Sequence, residues 1–165
     1  LFKSIFKKPG FKIINFSNKL LREDLDLEIY QYKPKVIKDS IIQYYSGEDL
    51  TIFCNSFALN SALKIKDYFK EKNINAAIFS LFGYHFENLD LIIKNINKTK
   101  KLIIIDDTLS NNNFSDKLIF KLMQKNIKIN KLKLIKTKTN KKYTKPTYNK
   151  LTINYNELYR YFLND

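Results

Sequence analysis

Short apolar runs, each followed by an amphipathic stretch of helical spacing, constrain this chain more than any other feature. The most restrictive run is Leu102–Ile105 (LIII), which carries no charge until Asp106 and Asp107 end it. A strand that is apolar on both faces must be covered on both faces, which is the situation of a central parallel strand. Leu50–Cys54 (LTIFC) and Ala76–Leu81 (AAIFSL) are runs of the same kind. Between them Ala58, Leu59, Ala62, Leu63, Ile65, Tyr68 and Phe69 recur at helical spacing, with Lys64, Lys66, Asp67, Lys70 and Glu71 opposite. This pattern predicts a helix ending near Lys72–Asn73, with Asn55 or Ser56 offering its cap.

The pattern then repeats. Leu89, Ile92, Ile93 and Ile96 predict a second helix, and Phe114, Leu118, Ile119, Leu122 and Met123 a third. Ile127–Ile135 (IKINKLKLI) largely alternates apolar and polar residues, as a half-exposed edge strand does. Strand–helix pairs in succession, closed by a last strand, give an α/β domain of three layers. Its sheet is mostly parallel, with about five strands and right-handed crossovers.

The flanks differ. Lys12–Phe16 (KIINF) reads as a strand, punctuated by Pro9, Gly10 and Pro34, and Ile41–Tyr45 as a short strand or turn before Gly47. Lys136–Thr147 reads as an extended tail. Asn154 or Asn156 caps a closing helix in which Leu158, Tyr161 and Phe162 share a face.

Charge enters because the formal net charge is +14. Of the 30 basic residues, 28 are Lys, and only Arg22 and Arg160 are Arg. Surfaces that read nucleic acid favour the planar fork of Arg, so this composition argues against a nucleic-acid partner. Lys, Asn, Ile, Phe and Tyr fill 93 of the 165 positions, and all five can be encoded with A and T alone, so coding bias accounts for most of the charge. The exception is Lys117–Lys150, with 12 lysines and no acid. Its alternatives are a lysine-rich nucleic-acid-binding surface, or a solvated helix face and edge strand.

One cysteine, Cys54, excludes an internal disulfide and a Cys-based zinc site, and the single His85 excludes two-histidine metal sites. No apolar run is long enough to span a membrane. The cytoplasm is the expected compartment. The chain begins at Leu1 rather than Met, and the expectation is a piece of something longer.

Several motifs carry a resemblance. Gly47, Glu48, Asp49, Leu50, Thr51 and Ile52 follow the order Gly-x-Asp-(Leu/Val)-Thr-Ile, and Ala62–Leu63 sits in the next helix. Lys98, Thr99, Lys101, Leu102–Ile105, Asp106 and Asp107 form a Lys-Thr, basic, apolar strand and acidic-pair run. On these residues, Glu48–Lys138 resembles the carboxy-terminal domain of the transketolase superfamily of thiamine-diphosphate enzymes. The likeness is to the beta subunits of 2-oxo acid dehydrogenases, such as pyruvate dehydrogenase, and to deoxyxylulose-5-phosphate synthase. Pro9–Phe16 resembles the last strand of the preceding domain in that family. The implied organisation is an end of a preceding domain or interdomain arm over 1–47 and the carboxy-terminal domain over 48–165.

The departures fall in the loops. Strand one ends in Cys54, Asn55 and Ser56 in place of a Tyr-Gly-Ser turn. Of the family's Asp-Leu-Arg-Thr-x-Arg-Pro stretch, only Leu81 survives within Ser80–Asn88. Asn111, Asn112 and Asn113 replace the glycines before helix three.

The resemblance implies thiamine diphosphate and Mg in the full enzyme but no cofactor, metal or catalytic residue in this chain, because the Gly-Asp-Gly…Asn signature is missing. It implies partners that are other domains or subunits of the same enzyme, in a homo- or hetero-oligomer. Asn55, Ser56, His85, Asp106 and Asp107, at strand ends, are the expected interface residues. The alternative is a stand-alone assembly or regulatory protein with this fold.

Overall fold

A computed structural model describes residues 32–55, 58–81, 88–108, 114–137 and 151–163. In chain order the elements are β1 (Val36–Lys38), β2 (Ile41–Tyr45), β3 (Leu50–Asn55), α1 (Leu59–Lys70), β4 (Ala76–Leu81), α2 (Asp90–Thr99), β5 (Lys101–Asp106), α3 (Phe114–Gln124), β6 (Lys131–Lys136) and α4 (Tyr155–Leu163). They build one six-stranded sheet in the order β1-β2-β4-β3-β5-β6. Strands β4, β3, β5 and β6 are parallel, while β1 and β2 join as antiparallel neighbours of one another and of β4.

The apolar runs lie where their composition requires. Ile52, Cys54, Ile78, Ile103 and Ile105 point to one face and are covered by α1 and by Leu158 and Phe162 of α4. Phe53, Ala77, Phe79, Leu102 and Ile104 point to the other, under Leu89, Ile92 and Ile96 on the α2 side and Phe114, Leu118 and Leu122 of α3. The result is three layers, helices–sheet–helices, with β3 in the middle. Helix α4 is held to α1 mainly by rings: Tyr68 and Tyr155 lie 5.4 Å apart and Phe69 and Phe162 6.3 Å apart, while the Tyr68 hydroxyl donates to Asn156 at 2.6 Å.

With three glycines in the chain, other residues take the left-handed positions. Asn73 (φ 60°) follows α1 and Asn126 (φ 52°) follows α3, and each is crossed by a bond back into its helix: Ile74 N–H to Phe69 O and Ile127 N–H to Leu122 O, both 3.0 Å. Asn adopts this conformation more readily than other non-glycine residues, so it ends helices where Gly is scarce.

Four expectations need correction. The sheet has six strands rather than about five, because residues 36–45, read as part of the arm, supply β1 and β2. The edge strand is shorter than Ile127–Ile135: the bond from Ile127 back to α3 holds that residue in the helix end, and pairing begins at Lys131. Met123 is 69% exposed, because the buried stripe of α3 runs through Phe114, Leu118 and Leu122, one helical step away. Tyr161 does not share the buried face of Leu158 and Phe162; its ring stands edge-on to Phe162 and its hydroxyl donates to Leu132 O at 2.9 Å. For the closing helix, Asn154 rather than Asn156 caps, accepting from Glu157 N–H at 3.1 Å. The expected strand Lys12–Phe16 and tail residues 138–147 lie outside the described residues.

The amino edge of the sheet is closed by one polar network. Asn95 of α2 donates its amide to Gly47 O at 3.0 Å, which orients its oxygen toward the buried Thr51 hydroxyl, 2.7 Å away. Thr51 and Thr99 hydroxyls lie 2.8 Å apart, and Thr99 also reaches Lys101 O at 3.2 Å. Since Thr51 donates to Asn95, Thr99 donates to Thr51 in the shorter of its two contacts. Asp49 adds a reciprocal pair with Asn75: its carboxylate accepts Asn75 N–H at 2.7 Å and its own N–H donates to Asn75 O at 3.1 Å.

Gly47 sits flush against that turn. A Cβ there would lie 2.3 Å from Ala76 C, 2.4 Å from Ala77 N and 2.5 Å from Asn75 O, all backbone atoms that cannot rotate away. Gly47→Ala should therefore cost about 3 kcal/mol, the upper end of ordinary overpacking. Urea unfolding of the variant measures it, and a loss under about 0.5 kcal/mol, the scale of an inconsequential surface change, contradicts this packing.

Candidate functional site at the carboxyl edge of the sheet

Connections diverge on either side of β3. The β3–α1–β4 unit runs one way and the β4–α2–β5 crossover returns to the other flank, so β3 and β5 bound a switch point. In open α/β sheets, ligands gather at the carboxyl ends of strands at such a point. Cys54 pairs with Ile105 there, so Asn55 and Asp106 follow on adjacent strands. Three of the five expected residues, Asn55, Asp106 and Asp107, are thus brought to one edge. Ser56 and His85 lie outside the described residues.

Asn55 organises its own loop. Its Oδ1 accepts Ala58 N–H at 3.1 Å. The N-cap of α1 is Ala58, which makes no side-chain capping bond, so Asn55 acts just before the helix rather than as its cap. Asp106 is buried and its carboxylate is bound by the chain. Oδ1 accepts from Thr108 N–H (3.1 Å) and the Thr108 hydroxyl (2.6 Å), and Oδ2 from Ser115 N–H (3.2 Å) in the first turn of α3. A carboxylate at a helix amino terminus satisfies an orphan N–H and complements the dipole. Asp106 therefore fixes the start of α3.

Cys54 is fully buried and its Sγ lies 3.5 Å from Phe79 O. Burial pushes its thiol up to about 12; a hydrogen bond with Ser80 opposes this slightly, and the negative charge of Asp107 adds to it. Tyr44 is raised as well, by burial first and then by Cys54. Tyr44, Ser80 and Asp107 thus each lie close enough to Cys54 to interact with it. Cys54 stays a neutral thiol at physiological pH, which is the opposite of an activated nucleophile. The buried hydroxyls of Ser115 and Thr137 have no hydrogen-bond partner.

These residues do not fit a Mg–diphosphate group. Asp106 is the one buried acid among the described residues, and its oxygens already take three donors. No group of three His, Cys, Asp or Glu converges among the described residues.

The described part of the basic segment is partly tied down: Lys136 reaches Asp116 at 2.9 Å, and Lys133 reaches Glu157 at 3.3 Å and stands over the Tyr161 ring. Residues 138–150 are outside the description. No described helix is long and apolar enough to cross a membrane.

Sequence reasoning missed Tyr44 and Asn95. For Asn95 a signal existed, since Thr51 inside an apolar strand requires a buried partner.

The raised thiol gives a pH prediction. Its pKa in the unfolded chain is near 9.0 and in the folded chain about 12, so the folded state retains a proton that the unfolded state loses. Stability from this group is complete below pH 9 and falls as pH rises toward 12, by up to ~1.4 kcal/mol per unit. Cys54→Ala should flatten the fall in unfolding free energy between pH about 9 and about 11 relative to the parent. Parallel curves for the two proteins contradict the assignment.

No family model matches the sequence, and no curated protein matches it significantly. Solved structures do. One described as "Split gene transketolase, inactive beta4 tetramer" aligns with a TM-score of 0.61 at 10% identity, over 79% of this chain and 43% of that chain. The chain thus spans less than half of the structure it matches. At that identity the likeness is one of architecture, and it supports a transketolase-like carboxy-terminal fold.

Proposed function

We propose that this chain is the carboxy-terminal assembly domain of a thiamine-diphosphate-dependent enzyme, of transketolase-like or 2-oxo acid dehydrogenase beta-like type, and is not catalytic alone. The observation that carries this reading is the combination of transketolase-like fold and motif placement. Gly47, Asp49, Thr51 and Thr99, four of the residues behind the resemblance, meet in the network that closes the amino edge. They serve the fold, and the fold is what the chain brings to an enzyme.

In this role the domain takes in β1 and β2 as well as residues 48–165, and the residues before β1 connect it to a preceding domain. Asn55 and Asp107 border the approach to a partner, Ser56 and His85 are proposed as further interface residues, and Asp106 holds the start of α3. The cofactor and its Mg are held by other domains or subunits, where thiamine diphosphate supplies carbon–carbon bond chemistry next to a carbonyl. The structural neighbour is itself named as a split-gene product that is inactive as a beta4 tetramer, and we assign this chain a comparable dependence on a partner. Its proposed compartment is the cytoplasm.

Affinity purification of the tagged chain from its own source tests the proposal. The expected complex contains a polypeptide with the Gly-Asp-Gly…Asn signature, as a second subunit or as a longer form of this chain. It binds Mg–thiamine diphosphate in calorimetry, and the isolated chain does not. Purification with no such polypeptide overturns the proposal in favour of a stand-alone protein.

A further inference from the structure

We infer that the groove between β2 and α2 binds a small organic anion with an apolar body. The site is separate from the carboxyl edge and does not depend on the thiamine reading.

A break in strand alternation makes the groove. Ile41 and Gln43 of β2 pair with Leu81 and Phe79, but the register shifts before Tyr45, which pairs with Ile78. Regular alternation places residue 45 on the α2 side with Gln43. The bulge carries it to the other face, where Tyr45 packs in the α1 cluster and its ring takes Lys66 Nζ at 4.3 Å. The α2 side of the sheet therefore loses the large side chain that would follow Gln43, and only the small Ser46 stands beside the groove there. Bulges that re-aim a side chain in this way recur beside binding sites.

The resulting space of about 230 Å³ is lined by Gln43, Ser46, Phe79, Leu91, Lys94 and Lys98, among others. Phe79 and Leu91 form an apolar wall. Asn95, also in the lining, is fixed by its bonds to Gly47 and Thr51, so that side of the groove is rigid.

The mouth is cationic. Lys94 has no acidic partner among the described residues, and Lys98 has only the exposed Glu48 at 3.8 Å, a pair too open to water to hold it firmly. Gln43 donates to Ser46 Oγ at 3.3 Å, which leaves the serine hydroxyl proton free to point at a ligand. A volume near eight waters at ~30 Å³ each is below the usual range for drug-sized ligands and selects a small acid, a carboxylate or a phosphate monoester.

NMR titration of the ¹⁵N-labelled chain tests the inference with phenyl phosphate and phenylacetate, and with 2-phenylethanol as the neutral control. The expected result is saturable shifts at Ser46, Gly47, Leu91, Lys94 and Asn95 with one or both anions and none with the alcohol. The acid that binds more tightly identifies the head group. Lys94→Gln, an exposed substitution whose spectrum also reports folding, should weaken binding by roughly tenfold, the scale of one charged hydrogen bond, while Lys125→Gln leaves it unchanged. Absence of shifts, equal shifts with the alcohol, shifts spread over the lysines of α3, or no effect of Lys94→Gln each overturns the site.

Discussion

The hydroxyl of Thr51 is the constraint from which the rest of the structure follows. It lies on the central strand, fully buried, where an unmatched polar group would cost on the order of 1–3 kcal/mol. Its two partners come from one helix, Asn95 at 2.7 Å and Thr99 at 2.8 Å, so satisfying it sets the rotation of α2. Asn95 then holds Gly47 O, and Thr99, whose one proton goes to Thr51, stands 3.2 Å from Lys101 O at the start of β5. One hydroxyl thereby ties β3, the turn before it and the crossover helix together.

The two edges of the sheet then divide the work. The amino edge is closed by backbone and side-chain bonds, with Gly47 packed against backbone and Asp49 paired with Asn75, and it borders the groove between β2 and α2. The carboxyl edge holds groups whose protonation is set by burial and by neighbouring charge, Cys54 above all. It also holds two buried hydroxyls without partners. Of the residues that resemble transketolase relatives, Gly47, Asp49, Thr51 and Thr99 cluster at the first edge, while Asn55, which departs from them, lies at the second. A fold can outlast its ligand loops in this way because packing at one end of a parallel sheet does not require the sequence at the other.

The architecture was legible because burial on two faces leaves a plain mark. Leu102–Ile105 announced a central strand, and the stripe through Ile92 and Ile96 announced the helix above it. What escaped lacked such a mark. Strand β1 is three exposed residues and β2 carries a bulge, so neither shows a clean period of two. Met123 and Tyr161 are apolar by composition, but each lies beside the buried stripe, where one residue of helical rotation decides exposure. Asn55, Asp106 and Asp107 lie at one edge because they stand at or just after the ends of adjacent parallel strands. That Asp106 turns inward to Thr108 and Ser115 depends on loop geometry, which residue type alone does not encode.

A double-mutant cycle on Thr51→Val and Thr99→Val measures the central junction directly. Valine keeps the β-branched shape and replaces the hydroxyl by a methyl group. Thr51→Val should cost about 2 kcal/mol because Asn95 and Thr99 lose their buried partner. The pair should show a coupling energy of roughly 1 kcal/mol in urea unfolding. Additivity within about 0.3 kcal/mol would mean that the two hydroxyls do not act as one unit, and would contradict the account of how β3 and α2 are held together.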